Sequence, residues 1–224
     1  MSTRTTRYTG WVPERQGRFF TFEGPDGCGK STQLEMLARR LEAAGHTVVR
    51  AQEPGGTRVG REIRKILLDR ASTDLRATPE LLLYFASRAQ NVEEVILPAL
   101  QAGHIVLADR FTDASTAYQG VGRGLGLDTV AAVERVACHG LRPDLTFLID
   151  LDIETGLERA LGRNAGAPHD ESRFERESLE FHRRVRQGYL DLHHREPQRV
   201  VLIDGRRPAD EIAREIWERL RSYV

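Results

Sequence analysis

Short apolar runs alternate along the chain with longer stretches in which apolar residues recur every three or four positions. The short runs predict β-strands, and the longer spacing predicts helices. Five strands are predicted, at 18–23, 47–51, 104–109, 145–151 and 199–204. A first helix follows the first strand and ends at Gly45, where the periodicity stops. Further helices are predicted near 58–69, 79–101, 128–139, 154–162, 172–195 and 208–222.

The alternation of strands and helices predicts an α/β fold, in which a five-stranded parallel sheet carries helices on both faces. The run HIVLAD at 104–109 is apolar for nearly its whole length, as expected for a strand buried on both sides. Residues 1–17 are polar and show no periodicity. We therefore expect them to form a mobile tail or a late-docking extension, and 18–224 to form a single domain.

Composition excludes several classes of function. The 33 basic and 33 acidic side chains cancel, so a global basic field for binding nucleic acid is not expected. No apolar run approaches the ~18 residues of a membrane helix, and the amino terminus lacks the apolar segment of a secretory signal. Two cysteines are too few for a disulfide scaffold or a zinc cluster. These features favour a cytoplasmic protein without a membrane or nucleic-acid partner.

A glycine-rich loop between the first strand and the first helix is the strongest chemical signal. GPDGCGKS at 24–31 matches the phosphate-loop pattern G-x-x-x-x-G-K-[ST]. Its glycines let successive N–H groups converge on phosphate oxygens, and the helix directs its positive end to the same point. Lys30, one of only two lysines in the chain, would reach the β- and γ-phosphates, and Ser31 would ligate Mg²⁺. The predicted ATP-binding residues here are Gly24, Pro25, Asp26, Gly27, Cys28, Gly29, Lys30, Ser31 and Thr32.

This loop predicts binding of a nucleoside triphosphate and leaves the reaction open. A phosphotransferase and a regulatory or motor NTPase both remain possible. A GTPase switch would carry an Asn/Thr-Lys-x-Asp element after a later strand, and the only lysine outside the loop, Lys65, lies in IRKILL. The absence of that element favours a kinase.

Six segments together resemble the thymidylate kinase family. They are FEGPDGCGKST (22–32), EPGGT (53–57), LLLYFASR (81–88), DRFTDASTAYQG (109–120), RPDLTFLIDL (142–151) and an arginine-bearing loop at 162–173. The resemblance implies a three-layer P-loop kinase fold with a lid at about 162–173. It also implies a homodimer that transfers the γ-phosphoryl group of ATP to dTMP with Mg²⁺. The alternatives are another nucleoside monophosphate or deoxynucleoside kinase and, third, a regulatory P-loop NTPase.

Roles near the phosphates follow from the same resemblance. Asp109 would hold Mg²⁺ through water, and Arg110 would grip the acceptor phosphate; ligands in such sheets lie at the carboxyl ends of strands. Asp26 would bind the sugar 3′-OH and orient arginines, although it could instead cap the helix. Arg64 would bind the acceptor phosphate, or be an ordinary exposed helix charge.

The resemblance also assigns the residues around the acceptor's sugar and base. Tyr84 would stack on thymine, with core packing as its alternative, and Arg88 would hydrogen-bond the base from one helical turn further on. Glu53 belongs to a turn that carries a cis peptide in the family. Ser115, Tyr118 and Gln119 would face the base and the sugar, Gln119 meeting the imide edge of thymine and Tyr118 crowding the 2′ position.

Two departures from the family pattern concern arginines. Gln52 stands where an arginine usually precedes Glu53, and Gly27 stands where some members carry a catalytic arginine. Phosphoryl transfer needs cations more than a base, so the lid should supply the charge. The lid segment offers two arginines, Arg163 and Arg173, on either side of a Gly/Pro-rich hinge. Arg163 is predicted to close on the transferring group, and Arg159 is predicted to stack on adenine.

Overall fold

The computed structural model describes residues 15–164 and 172–224, except the side chains of 163 and 164. The strands are β1 Arg18–Glu23, β2 Val48–Gln52, β3 Ile105–Asp109, β4 Leu145–Asp150 and β5 Val200–Asp204. The helices are α1 Lys30–Ala43, α2 Arg58–Leu68, α3 Ala77–Asn91, α4 Leu97–Gln101, α5 Thr112–Ser115, α6 Leu127–Ala137, α7 Ile153–Asn164, α8 Leu179–Arg195 and α9 Ala209–Leu220. Two π-helical segments, Val92–Ile96 and Thr116–Gly122, join α3 to α4 and continue α5. The expectation for 1–17 falls almost wholly outside the described residues.

The five strands form one parallel sheet in the order β2-β3-β1-β4-β5. At the centre, Phe20 of β1 pairs with Leu107 of β3 and Leu145 of β4. Because all strands run the same way, their carboxyl ends meet at one edge of the sheet. The loops after β1, β2 and β3 are therefore brought together there, as ligand-binding loops are in open α/β sheets.

Helices cover both faces of the sheet. Phe20 and Phe22 point to one face and pack with apolar residues of α1 and α9. Phe19 points to the other face, in a cluster with Phe85 of α3 and Val130 of α6. The alternation along β1 places successive side chains in opposite layers, which is the property of a strand with both sides buried. The predicted three-layer α/β fold is thus confirmed.

Two predicted helices have different bounds in the structure. The helix predicted at 172–195 begins at Leu179, because the Ser178 side chain caps it by accepting a hydrogen bond from the Phe181 N–H at 3.2 Å. The stretch predicted as one helix at 79–101 is interrupted by a π-helical segment, Val92–Ile96. Pro98 lies just beyond it and has no N–H to donate to the preceding turn, which favours the wider turn.

No helix in the described ranges is long and apolar enough to cross a membrane.

Candidate active site

The loop from Gly24 to Gly29 curls over the start of α1 in a way that only glycine allows at two positions. Gly24 has a φ of 136°, and a Cβ there would lie 2.2 Å from the Ile149 carbonyl oxygen. Gly27 has a φ of 74°, and a Cβ there would lie 2.0 Å from the Gly156 oxygen. Positive φ and contact with backbone together exclude side chains at both positions. Glycine is therefore required at these two positions by the close packing of the loop on β4 and α7.

Lys30 lies under this loop and is almost buried. Its Nζ donates hydrogen bonds to the carbonyl oxygens of Pro25, at 2.9 Å, and Gly24, at 3.2 Å. Cys28 is buried beside it, and burial raises the pKa of its thiol, so the side chain fills space and is not a reactive thiolate. The one ammonium in the loop thus sits where phosphate oxygens would meet the backbone N–H groups.

A hydroxyl and a carboxylate adjoin Lys30 at the sheet edge. The Ser31 Oγ donates to Asp109 Oδ2 at 2.6 Å, joining the first turn of α1 to the end of β3. Both groups offer oxygen ligands, which is the donor set that Mg²⁺ prefers. The two residues predicted to hold the metal are therefore adjacent and chemically suited to it. Thr32 follows on the exposed side of the same turn.

Arg110 and Asp26 form the central ion pair of the site. One guanidinium nitrogen of Arg110 lies 2.6 Å from Asp26 Oδ1, and Tyr118 donates its hydroxyl to the other carboxylate oxygen at 3.0 Å. Burial raises the pKa of Asp26, but the charges of Arg110 and Lys30 outweigh it and hold that pKa at about 2. Asp26 is therefore an anion at neutral pH and keeps the Arg110 guanidinium group in place.

Arg110 adopts a φ of 72°, which is uncommon for a residue with a side chain. This conformation turns the chain sharply after β3 and directs the guanidinium back toward the phosphate loop, where it also donates to the Gly24 carbonyl oxygen at 3.2 Å and to the Tyr189 hydroxyl at 3.0 Å. Backbone strain of this kind costs roughly 1–3 kcal/mol and is common at functional sites.

Glu23, at the end of β1, is fully buried beneath this pair. It accepts hydrogen bonds from the Phe111 N–H at 2.7 Å and the Tyr189 hydroxyl at 2.7 Å. Burial raises the pKa of Glu23 to about 7, although the Arg110 charge lowers it. No role for this residue is predicted from the sequence.

Replacing Glu23 by glutamine is expected to remove a pH-dependent loss of stability. The carboxyl ionises near its ordinary pKa of 4.5 in the unfolded chain and near 7 in the folded protein. Between pH 4.5 and 7 the folded state therefore keeps a proton on Glu23 that the unfolded state has lost. The free energy of unfolding consequently falls as the pH rises from 4.5 to 7. The wild-type protein should lose about 1–3 kcal/mol more than Glu23→Gln across this interval. Denaturant titrations of both proteins at about pH 5 and about pH 8 measure this, and parallel profiles would contradict it.

A pocket of about 200 Å³ opens beside the Asp26–Arg110 pair. Eight of the nine side chains predicted to bind the acceptor line it: Asp26, Glu53, Arg64, Tyr84, Arg110, Ser115, Tyr118 and Gln119. They come from the phosphate loop, the turn after β2, α2, α3 and the segments after β3. The structure therefore brings together residues spread over nearly a hundred positions, and their individual roles stay predictions.

Arg88, the ninth, lies behind this lining. It is buried and pairs with Glu53 at 2.5 Å while donating to the Ser115 Oγ at 2.9 Å. Burial raises the pKa of Glu53, although the Arg88 charge lowers it. The peptide bond from Glu53 to Pro54 is cis, as the resemblance implies, and the Pro54 carbonyl oxygen accepts from Arg64 at 2.9 Å. Arg88 thus fixes both walls of the pocket from behind.

Two further residues at this pocket were not predicted. Phe174 lines it, with its ring centroid 5.5 Å from that of Tyr118 and 6.3 Å from that of Tyr84. Glu80 is fully buried on α3 and accepts from Gln119 at 2.9 Å. Phe174 fell inside a helix that was predicted too long. For Glu80 the one available signal was an acidic residue one turn before Tyr84.

The predictions for the two lid arginines and for Arg159 have three different outcomes. The side chain of Arg163 lies outside the described residues, as does most of the predicted lid. Arg159 is exposed on α7. Arg173 is largely buried and forms an ion pair with Glu80.

The chain is similar to known proteins over most of its length. The family model described as thymidylate kinase matches residues 22–216. The chain is 52% identical to the thymidylate kinase of Pelobacter propionicus over 202 residues, covering 89% of this chain and 92% of that protein. It is 52% identical to the thymidylate kinase of Deinococcus radiodurans, with 90% and 95% covered, and 51% identical to that of Halothermothrix orenii, with 93% and 99% covered. The chain belongs to the thymidylate kinase family.

Proposed function

We propose that this enzyme transfers the γ-phosphoryl group of ATP to dTMP, giving ADP and dTDP. The observation that carries the proposal is the Asp26–Arg110 pair, which belongs both to the phosphate loop and to the acceptor pocket. Donor and acceptor phosphates bound on its two sides would meet at Arg110. Such positioning is the main requirement of phosphoryl transfer.

The catalytic contribution of the site would come from its positive charges, which would position and neutralise the phosphates. The acceptor oxygen is already an anion, so no general base is needed. Lys30 would bind the β- and γ-phosphates as the loop carbonyls release it, and the Arg110 fork would hold the acceptor phosphate. Ser31 and Asp109 would hold Mg²⁺, which when bound neutralises developing negative charge on the phosphates. Asp26 would orient Arg110 and accept a hydrogen bond from the sugar 3′-OH.

The rest of the pocket would select the nucleoside. Tyr84 and Phe174 would provide aromatic faces for the base. Gln119 and Ser115, the latter held from behind by Arg88, would provide polar groups at its edge. Tyr118 is held by Asp26. It would lie beside the sugar and disfavour a 2′-hydroxyl. Together these residues would suit the thymine base and the deoxyribose of dTMP.

We also infer a homodimer in the cytoplasm. Leu82 on α3 and Val136 on α6 are exposed apolar side chains on helices that pack against each other, and these helices would supply the interface. Both cysteines are free and buried, which suits a reducing compartment. Sedimentation of the purified protein, with Leu82→Glu as the disrupting variant, tests the dimer.

An acceptor screen tests the activity. Purified enzyme with ATP and Mg²⁺ is offered dTMP, dUMP, dCMP, CMP or thymidine, and ADP release is followed in a coupled assay. We expect dTMP to give the highest kcat/KM. Preference for another nucleotide would replace the substrate assignment, and ADP release without any acceptor would favour the regulatory NTPase.

Arg163→Ala is expected to lower kcat by about 10³-fold, because a lid arginine acts mainly on charge in the closed transition state. The KM values for ATP and dTMP should change much less. Arg39→Ala, which removes an exposed arginine of α1, is the control and should be unaffected. A near-normal kcat in Arg163→Ala, with loss of activity in Arg173→Ala, would move the role to Arg173.

A further inference from the structure

A fully buried carboxylate behind the acceptor pocket gathers three side chains from distant parts of the chain. Glu80 Oε1 accepts from Gln119 Nε2 at 2.9 Å and from Arg123 Nε at 3.2 Å. Its Oε2 accepts from a second Arg123 nitrogen at 3.0 Å, from Arg173 at 2.8 Å, and from a further Arg173 nitrogen. All five contacts come from N–H donors. The residue at position 80 must therefore accept hydrogen bonds at both oxygens, as an ionised carboxylate does.

This requirement fixes the orientation of the Gln119 side chain. A carboxamide has a donor end and an acceptor end, and a carboxylate can face only the donor end. With Nε2 turned to Glu80, the carbonyl oxygen Oε1 is the acceptor that Gln119 can offer to the pocket it lines. Burial of both residues strengthens the constraint, since an unpaired polar group there would be costly.

We propose that Glu80 is a positioning residue that sets the base specificity of the enzyme by holding the Gln119 carboxamide in one of its two orientations. The proposal rests on the proposed function, in which Gln119 meets the imide edge of thymine. Thymine carries a hydrogen on N3 and needs an acceptor there, whereas N3 of cytosine has no hydrogen and needs a donor. Glu80 never touches the nucleotide and acts through Gln119.

The same carboxylate ties the pocket to the segment that follows the lid. Arg173 is bound to Glu80, and its neighbour Phe174 lines the pocket. The Nε of Arg173 is buried and has no hydrogen-bond partner in the described structure. Glu80 therefore supplies the polar contacts of the Arg173 guanidinium. Glu80 therefore holds both the polar edge and one aromatic face of the pocket.

Glu80→Gln tests the proposal because it changes the hydrogen-bonding polarity without changing the size. The new oxygen should take the place of Oε2, which accepts from Arg123 and Arg173. The new NH₂ should take the place of Oε1 and give up the contact with Arg123 Nε. Gln119 would then turn its own oxygen toward residue 80 and its NH₂ toward the base. We expect the ratio of kcat/KM for dTMP to that for dCMP to fall at least tenfold, since a mismatched buried polar group discriminates strongly.

The matched control is Arg123→Gln, which removes another partner of Glu80 and leaves Glu80 to hold Gln119. Its dTMP to dCMP ratio should stay within about twofold of wild type. An equal fall in Arg123→Gln would overturn the proposal by assigning the effect to packing. A wild-type ratio in folded Glu80→Gln would also overturn it.

Glu80→Gln leaves the Arg173 charge buried without its counterion, which could prevent folding. The double variant Glu80→Gln/Arg173→Gln removes both charges and should show the same fall in the ratio. If neither folds, a crystal structure of the wild-type protein with dTMP decides between Gln119 Oε1 toward N3, as expected, and Nε2 toward N3, which overturns the proposal. Failure of wild-type enzyme to phosphorylate dTMP would instead reject the proposed function itself.

Discussion

Lys30→Ala is expected to lower kcat with ATP and dTMP by about 10³-fold or more while leaving the fold intact. The Lys30 Nζ is the one ammonium in the phosphate loop, and the loop backbone that holds it consists of residues with no cationic side chain. Charge that develops on the transferring phosphoryl group would lose its nearest positive neighbour. Lys30 is itself buried, so water would compensate for the lost charge less well than at the surface.

Lys65→Ala is the matched control, because Lys65 is the only other lysine and forms an exposed pair with Glu62 on α2. Exposed pairs of this type contribute about 0–1 kcal/mol to stability, so neither activity nor the melting temperature should change much. Steady-state assays and thermal unfolding of the two variants provide the measurement. Activity of Lys30→Ala within tenfold of wild type would contradict its assigned role.

The sequence predicted the layers and the phosphate loop because those features are local. The three central strands are largely apolar runs, as burial on both faces of a parallel sheet requires. The loop is a short pattern in which glycines permit the positive φ angles of the turn. Helix ends were less predictable where a single side chain decided them. Ser178 starts α8 seven residues later than the periodicity indicates, and this places Phe174 in the pocket.

Long-range polar contacts were the part that no local pattern could indicate. Glu80 is separated from Gln119 by 39 positions and from Arg173 by 93. On its own helix Glu80 looks like an ordinary acidic residue of a first turn. Arg88 illustrates the same limit, because its spacing from Tyr84 indicated the correct helix face but not that Glu53 and Ser115 would bind it behind the pocket.

Arg110→Ala is expected to have the largest effect on use of the acceptor, with kcat/KM for dTMP lowered by about 10³-fold. Arg110 lines the pocket and has the planar fork that suits a phosphate, whereas the KM for ATP should change little because Lys30 remains. Arg110→Lys would keep the charge but lose the fork, and should recover only part of the activity. Arg142→Ala is the control, since Arg142 forms an exposed pair with Glu196 just before β4, at the opposite edge of the sheet.

The same variant should lose stability in a pH-dependent way. Without Arg110 the Asp26 carboxylate stays largely buried with less positive charge around it, and we expect a loss of about 2–3 kcal/mol at neutral pH. The pKa of Asp26 is about 2 in the wild-type protein against an ordinary value of 3.8, so the ion pair stabilises the folded state above pH 3.8 and ceases to do so as pH falls through 2. The stability difference between Arg110→Ala and wild type should therefore be largest at neutral pH and shrink in acid. A difference that stays constant as the pH is lowered would show that Arg110 stabilises the fold by packing, and that Asp26 is not its electrostatic partner.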